Sequence, residues 1–252
     1  ITKKDPPIDV YWAPAQYDTE SSQWNLLYSE PRPVSDNLFL GTTDDPAVVR
    51  CPAARAALKN VYSLHSSLED KVNLQDVDLS RDAQDTTENS YPLPVSSRVS
   101  MQRLRRSSYK NHINVAYNLG WLMFSNEPLE VRFLPPYYPS ISPTPGAIMS
   151  TGQFDIGQWY RPMNLDYHIP YDAKEFIVKE DQPLAFLEFK TERPIAFHRY
   201  QLTPLLNNMA GEFVTMAATF GPRMSMKNRY KLFKKSNSRA LILTEIKKSL
   251  VE

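Results

Sequence analysis

Alternating apolar and polar positions mark three closely spaced stretches in the second half of the chain. Between Gly152 and Leu202 they read GQFDIGQWYRPMNLDYHI, FIVKEDQPLAFLEF and RPIAFHRYQL, and they are dense in aromatic and β-branched residues. An alternation with a period of two is typical of strands with one buried face, and short polar turns separate these stretches. The pattern predicts strands of an antiparallel β-domain.

Earlier segments extend this prediction toward the start of the chain. Strands are predicted for IDVYWAP, VYSLHSS and RVSMQRLRR, and a short helix for PAARAALKN, whose alanines favour helix and whose proline suits a first turn. The apolar segment INVAYNLGWLMFS is predicted as a central buried strand, with LEVRFLPPYYP as its hairpin partner. Residues 76–97 are polar, acidic and aperiodic, which indicates a long surface loop.

The pattern changes at Thr203, where apolar residues begin to recur at helical spacing. Two or three amphipathic helices are predicted from there to the C-terminal end. We therefore expect a β-rich domain over residues 1–202 and a basic helical extension over residues 203–252. The predicted fold class is mainly β, with an antiparallel sandwich, jelly-roll-like or β-clip-like core.

Charge is unevenly distributed along the chain. The net charge is only +1, so the overall charge gives no indication of nucleic-acid binding. Residues 221–252, however, contain nine Lys and Arg against two Glu, whereas residues 69–90 contain seven Asp and Glu against two basic residues. Such a basic segment is expected to contact a partner protein, neighbouring copies of the chain, or phosphates, or to be the solvated face of amphipathic helices. Its candidate binding residues are Arg229, Lys234, Lys235, Lys247 and Lys248.

The sequence lacks the motifs of several classes of catalytic and binding site. The single cysteine, Cys51, excludes an intrachain disulfide and a zinc site built from thiolates, and we expect it to be a buried, small apolar side chain. No G-x-S-x-G elbow, P-loop or G-x-G-x-x-G occurs. No apolar run reaches the length of a membrane span, and ITKKDPPIDV lacks the apolar core of a signal peptide. We predict no cofactor.

Two small clusters are the remaining candidates for a site in the β-domain. Asp166 and His168 are two positions apart, so on a strand they share one face and are candidates for acid–base or metal chemistry, with His198 as a third metal ligand. Trp159 and Arg161 form the second cluster. An arginine beside aromatics can stack on a base or bind a carboxylate, and it can equally brace the domain against its own loop.

The chain resembles an uncharacterised protein family of tailed phages, including phages of marine cyanobacteria. The resemblance covers most of the chain, and its most specific elements are W-N-x-x-Y-x-E-P from Trp24, Cys51-Pro52, and F-D-x-x-x-W-x-R-P from Phe154. It implies a viral context, with a place in the virion or the host cytoplasm, and it implies no particular activity.

A second, local resemblance covers residues 152–190. Gly152-x-Phe154-Asp155 followed by FIVKEDQPLAFLEF is similar to the β-clip of dUTPase-like nucleotide hydrolases. By this resemblance Asp155 would be the carboxylate that activates water. The glycine-rich C-terminal phosphate motif of those enzymes is missing here, so the resemblance implies kinship of fold and not activity.

Three functions remain open on the sequence. The first is a non-enzymatic structural or interaction protein of a phage particle, which docks through its C-terminal helices. The second is a small-molecule enzyme of β-clip or cupin type, nucleotide- or metal-dependent, that uses Asp155, Arg161, Asp166 and His168. The third is a nucleic-acid-binding accessory protein that acts through residues 223–248.

Overall fold

A computed structural model of the chain describes residues 5–15, 28–36, 51–67, 69–74, 93–94, 99–102, 112–137, 142–170, 172–220 and 224–251. Its architecture is mainly β, with helices gathered at the C-terminal end, as predicted. The strands in this part of the chain are β1 (Ile8–Pro14), β2 (Arg32–Pro33), β3 (Val61–His65), β4 (Asp70–Asn73), β5 (Leu93–Pro94), β6 (Val99–Gln102), β7 (His112–Asn118), β8 (Trp121–Ser125), β9 (Glu130–Leu134), β10 (Ile148–Met149), β11 (Gly152–Asp155), β12 (Asn164–Pro170), β13 (Glu175–Val178), β14 (Pro183–Phe189) and β15 (Ile195–Arg199). Four helices have both ends within it: α1 (Pro52–Ala57), α2 (Pro204–Phe220), α3 (Met226–Lys235) and α4 (Ser238–Lys248).

The strands form four sheets. Their orders are β15-β1-β8, β10-β12-β7-β6-β5, β11-β9-β14-β3-β2 and β13-β4. Neighbouring strands run antiparallel, as predicted, except that β1 and β15 pair in parallel.

One hydrophobic cluster joins all four sheets. It includes Trp12 of β1, Leu165 of β12, Phe176 of β13 and Leu187 of β14, all of them buried. Side chains that alternate along each strand therefore meet in a common core, which is the arrangement of a sandwich-like fold.

A second cluster joins the C-terminal helices to the strands. Phe124 of β8 and the buried Tyr200, which follows β15, pack with Phe233 of α3 and with Ile242 and Ile246 of α4. The helical segment begins at Pro204, close to the predicted change at Thr203. The inward faces of α3 and α4 are thus buried against the protein's own strands.

The segment INVAYNLGWLMFS is not the single strand that was predicted. It forms β7 and β8, which belong to different sheets, and the chain turns between them at Gly120, whose φ is +71°. Glycine suits that backbone conformation because it has no Cβ. The predicted hairpin is also wrong, since β8 pairs with β1 whereas β9 pairs with β11 and β14.

The stretches after Gly152 form five strands, β11 to β15, and none of these strands pairs with another. Each of them pairs instead with strands from elsewhere in the chain, in four different sheets. Cys51 is exposed rather than buried, because it precedes α1, a helix with no buried residue. Of the predicted loop 76–97, only Leu93 and Pro94 lie within the described residues, and they pair with β6.

Candidate functional site

The turn after β11 is organised by the carboxylate of Asp155. Its Oδ1 accepts hydrogen bonds from the backbone N–H of Leu129 (3.0 Å) and of Gly157 (2.8 Å), and its Oδ2 accepts one from the side-chain amide of Gln158. Asp155 is buried. Both of its oxygens therefore bind donors of the chain itself, which is how a turn-forming carboxylate behaves. Its role as a water-activating base stays a prediction.

The indole of Trp159 connects this turn to helix α3. The guanidinium carbons of Arg161 and Arg229 lie 5.5 and 5.6 Å from the centre of the Trp159 ring, within the range of cation–π contacts. Arg229 belongs to α3, whereas Arg161 lies between β11 and β12. These are the contacts of a brace between loop and helix. A ligand-binding role for Trp159 and the two arginines stays a prediction.

Two residues that the sequence did not single out strengthen the same contact. The Tyr230 hydroxyl of α3 accepts a hydrogen bond from the backbone N–H of Asp155 at 2.8 Å. Burial raises the pKa of Tyr230, whereas the hydrogen bond from the Asp155 backbone opposes this rise and the negative charge of Asp155 adds to it. Arg239 of α4 donates to the carbonyl oxygens of Gly157 (3.1 Å) and Asn126. The helical spacing of Tyr230 and Phe233 indicates a common inward face, but no signal in the sequence names their partners.

The opposite side of α3 carries the lysines, which we call the lysine face. At 100° per residue its members fall within an arc of about 100°. All four are exposed, and they are Lys227, Lys231, Lys234 and Lys235. Helix α3 has no acidic residue. It therefore presents a dense positive charge while its inward face is fixed in the core.

Lys247 and Lys248 lie in the last turn of α4, and both are exposed. Lys248 forms an ion pair with Glu245 at 3.5 Å. Cations near a helix C-terminus interact favourably with its dipole, so these two lysines also have a structural role.

Asp166 and His168 do share one face of β12, and the structure places Arg161 near them. Asp166 is exposed as a residue, but nearby protein atoms partly desolvate its carboxylate and raise its pKa. A hydrogen bond with Asn114 and the charges of Arg161 and His168 oppose this rise. The imidazole Nε2 of His168 and the hydroxyl of Ser150 are 3.1 Å apart. A carboxylate with a raised pKa beside a histidine can exchange protons, so this group is the candidate for acid–base chemistry.

His198 does not join this pair. It lies on β15, in a different sheet from β12, and its Nε2 is 2.9 Å from Oδ1 of Asp9. Within the described part of the chain, no three His, Cys, Asp or Glu side chains come together as metal ligands would. The geometry therefore leaves Asp166 and His168 as a two-residue group, without the third ligand that a cupin-like site was expected to draw from His198.

Two open clefts lie elsewhere on the described surface. One, of about 430 Å³, lies between α2 and β8 and is lined by Leu122, Asn207 and Glu212. The other, of about 380 Å³, lies beside β13 and is lined by Asp172, Lys174 and Glu175. Neither cleft is lined by any of the candidate catalytic residues.

A comparison of the chain with models of known protein families gives no match, and a comparison with curated protein sequences gives none either. Among the described residues, no helix is both long enough and apolar enough to cross a membrane.

Proposed function

We propose that this protein is a non-enzymatic structural or interaction protein of a phage particle, and that its C-terminal helices contact a protein partner. One observation carries the proposal. Of the nine large hydrophobic residues that are exposed in the described part of the chain, seven belong to the C-terminal helices and the short tail after them: Leu205, Val214, Met226, Leu232, Leu241, Leu250 and Val251. Contiguous exposed apolar patches mark protein-binding surfaces, and the proposal is that these seven residues contribute to such a surface.

The rigid attachment of the helices supports this proposal. Phe233, Ile242 and Ile246 are buried against the strands, and Arg239 binds carbonyl oxygens of the β-domain. The exposed side chains are thus held on a fixed scaffold, and binding orders fewer groups than it would on a flexible tail.

The charge of the same segment indicates the chemistry of the partner. Leu232 is exposed on α3 about 60° around the helix from Lys235, at the border of the lysine face, and Leu241 is exposed on α4. A partner surface that combines apolar patches with Asp and Glu would fit this combination.

Particle composition tests the proposal directly. Virions assembled with the unaltered chain should contain it at a fixed stoichiometry in density-gradient fractions. A chain with Leu232→Ser and Leu241→Ser should keep its melting temperature but be lost from the particles. The control is Ile148→Ser, which removes an exposed apolar residue from β10 and should leave incorporation unchanged. A chain found only as a free monomer in infected cells would contradict the proposal.

The lysine face of α3 favours a second candidate function, a nucleic-acid-binding accessory protein. Aligned, exposed lysines neutralise phosphates, and the release of counterions makes such binding depend steeply on salt.

The slope of log K against log salt for duplex DNA tests this second function. Lys234→Gln with Lys235→Gln should reduce the slope by about 1.8, which is two phosphate contacts at about 0.9 each. Lys174→Gln with Lys179→Gln removes the same charge from the β-domain and should leave the slope unchanged. Equal slopes for both double variants would exclude the lysine face as the DNA-binding surface.

A further inference from the structure

The outer face of the sheet β10-β12-β7-β6-β5 carries the polar residues of strand β12. The odd-numbered residues of β12 from Leu165 to Ile169 belong to the central core, so the even-numbered Asp166 and His168 point away from it. Residues directly opposite each other on neighbouring strands have side chains on the same face of a sheet. Asp166 and His168 therefore share the outer face with their partners on β7 and β10.

The register places Asn114 of β7 opposite His168, and Ala116 opposite Asp166. The N–H of Ser150, just after β10, donates to the carbonyl of Asp166 (2.7 Å), so the backbone groups of Asp166 point toward β10. Those of His168, two residues on, point the same way, and the pair of His168 with Asn114 exchanges no backbone hydrogen bonds. Such pairs are the closely spaced ones, with Cα atoms about 4.5 Å apart, so the two side chains are close neighbours.

The Asn114 side chain reaches Asp166 as well. Its amide group donates a hydrogen bond to the Asp166 carboxylate, and the small Ala116 opposite Asp166 leaves space for this approach. Asn114 is only 8% exposed, and no described residue donates a hydrogen bond to its Oδ1. An oxygen that is buried without a donor is costly, and an ordered water or a bound ion is the usual explanation for one in a native protein.

His168 completes a set of three neighbouring groups that carry lone pairs. Its Nε2 is 3.1 Å from the hydroxyl of Ser150, and metal-binding histidines commonly make such a hydrogen bond through one ring nitrogen while the other binds the ion. A water molecule has only two hydrogens to donate, whereas one cation accepts lone pairs from the amide Oδ1, the carboxylate and the imidazole together. This set of groups therefore favours an ion over a water.

We propose that Asp166, His168 and Asn114 bind one divalent transition-metal ion, through a carboxylate oxygen, the imidazole Nδ1 and the amide Oδ1. Imidazole and carboxylate are ligands of Zn²⁺ and of other first-row metals, and carbonyl oxygens bind several of these ions. Asp166 is exposed, so water completes the coordination on that side. The ion links β12 to β7, and this site goes beyond the helical surface proposed above and does not depend on it.

Arg161 gives the site a signature that a simple loss of contacts would not show. Its positive charge acts on the Asp166 carboxylate and lowers the affinity of a cation there, since like charges repel. Arg161→Gln should therefore strengthen the binding of a metal ion. The same change would weaken the binding of an anion, so the direction of the effect identifies the sign of the ligand's charge.

Isothermal titration calorimetry with Zn²⁺ tests the proposal. Zn²⁺ is the probe because a site of nitrogen and oxygen ligands binds it more tightly than Mn²⁺ or Fe²⁺. Cys51 is exposed and its thiolate is a competing ligand, so every chain carries Cys51→Ser. This background should bind one Zn²⁺ at the site, and Asp166→Asn and His168→Gln should each raise the dissociation constant by about tenfold or more. Melting curves without metal show that each variant is folded.

His198 provides the matched control. It forms another pair of histidine and aspartate, with its Nε2 2.9 Å from Oδ1 of Asp9, but in a different sheet. His198→Gln should leave the Zn²⁺ affinity unchanged, and an equal loss in His198→Gln and His168→Gln would show adventitious binding and overturn the proposal. A folded chain that binds no Zn²⁺ overturns it too, as does binding that persists in both Asp166→Asn and His168→Gln.

Discussion

The side chain of Phe233 is the main apolar anchor of helix α3. It is only 3% exposed, and its ring lies 6.2 Å from that of Phe124 on β8 and 5.3 Å from that of Phe213 on α2. Phe233→Ala removes all of these contacts at once. We therefore expect this variant to destabilise the whole protein and not only the last helices.

The size of the effect follows from burial. Truncation of a buried Phe to Ala costs about 3–5 kcal/mol, which combines the lost transfer free energy with the cavity left behind. For a chain of this size each kcal/mol lowers the melting temperature by roughly 2–4 °C, so we expect a drop of about 6–20 °C. Circular dichroism during heating and during urea titration measures both quantities.

The adjacent residue Leu232 provides a matched control on the same helix. It is 43% exposed, so Leu232→Ala should change the free energy of unfolding by no more than about 0.5 kcal/mol. If Phe233→Ala is no more destabilising than Leu232→Ala, or if only a separate, small transition shifts, the inference that the helices and strands share a core is wrong.

Three further predictions concern buried polar groups. Burial raises the pKa of Tyr160, Tyr167 and Tyr200 above its usual value of 10, so the folded state keeps protons that the unfolded state releases. The contribution of these tyrosines to the free energy of unfolding should be fully present below pH 10 and should fall above it by up to about 1.4 kcal/mol per pH unit for each tyrosine. Absorbance at 295 nm should show that these groups ionise only as the protein unfolds. Asp155→Ala leaves its buried donors without an acceptor and should cost about 1–3 kcal/mol in a urea titration, a result that a carboxylate with no structural role would not give. Burial lowers the pKa of His65, so as the pH falls the unfolded state binds a proton at this histidine before the folded state does. The free energy of unfolding should therefore fall as the pH drops below about 6.5. Urea titrations at several pH values should show a weaker pH dependence for His65→Gln.

Local patterns in the sequence predict much of the secondary structure. The alternation in IDVYWAP becomes β1, and the alanines after Pro52 become α1. The helical spacing of apolar residues after Thr203 becomes α2, α3 and α4. These elements are predictable because their signals lie within a few residues of one another, where propensity and periodicity act.

The pairing of strands is not predictable in the same way. Gly120 separates β7 from β8, and nothing within INVAYNLGWLMFS shows that the two halves join different sheets. Strand β15 lies beside β1, from the opposite end of the chain, and pairs with it in parallel. Such long-range pairing depends on packing of the whole core, so a neighbour in sequence is a poor guide to a neighbour in space.

The role of a candidate carboxylate is as hard to predict from the sequence as strand pairing, as Asp155 and Asp166 show. Resemblance favours Asp155, yet its oxygens accept hydrogen bonds from Leu129, Gly157 and Gln158. Asp166 differs from it only through its tertiary neighbours: it is exposed, desolvation raises its pKa, and His168 is beside it on the same strand face. A general acid or base must be able to reach the proton that it transfers, and the oxygens of Asp155 are already engaged by donors of the chain, whereas the carboxylate of Asp166 is exposed. A search for an activity should therefore compare Asp166→Asn with the unaltered chain, since loss of activity in Asp155→Ala would also follow from loss of the turn.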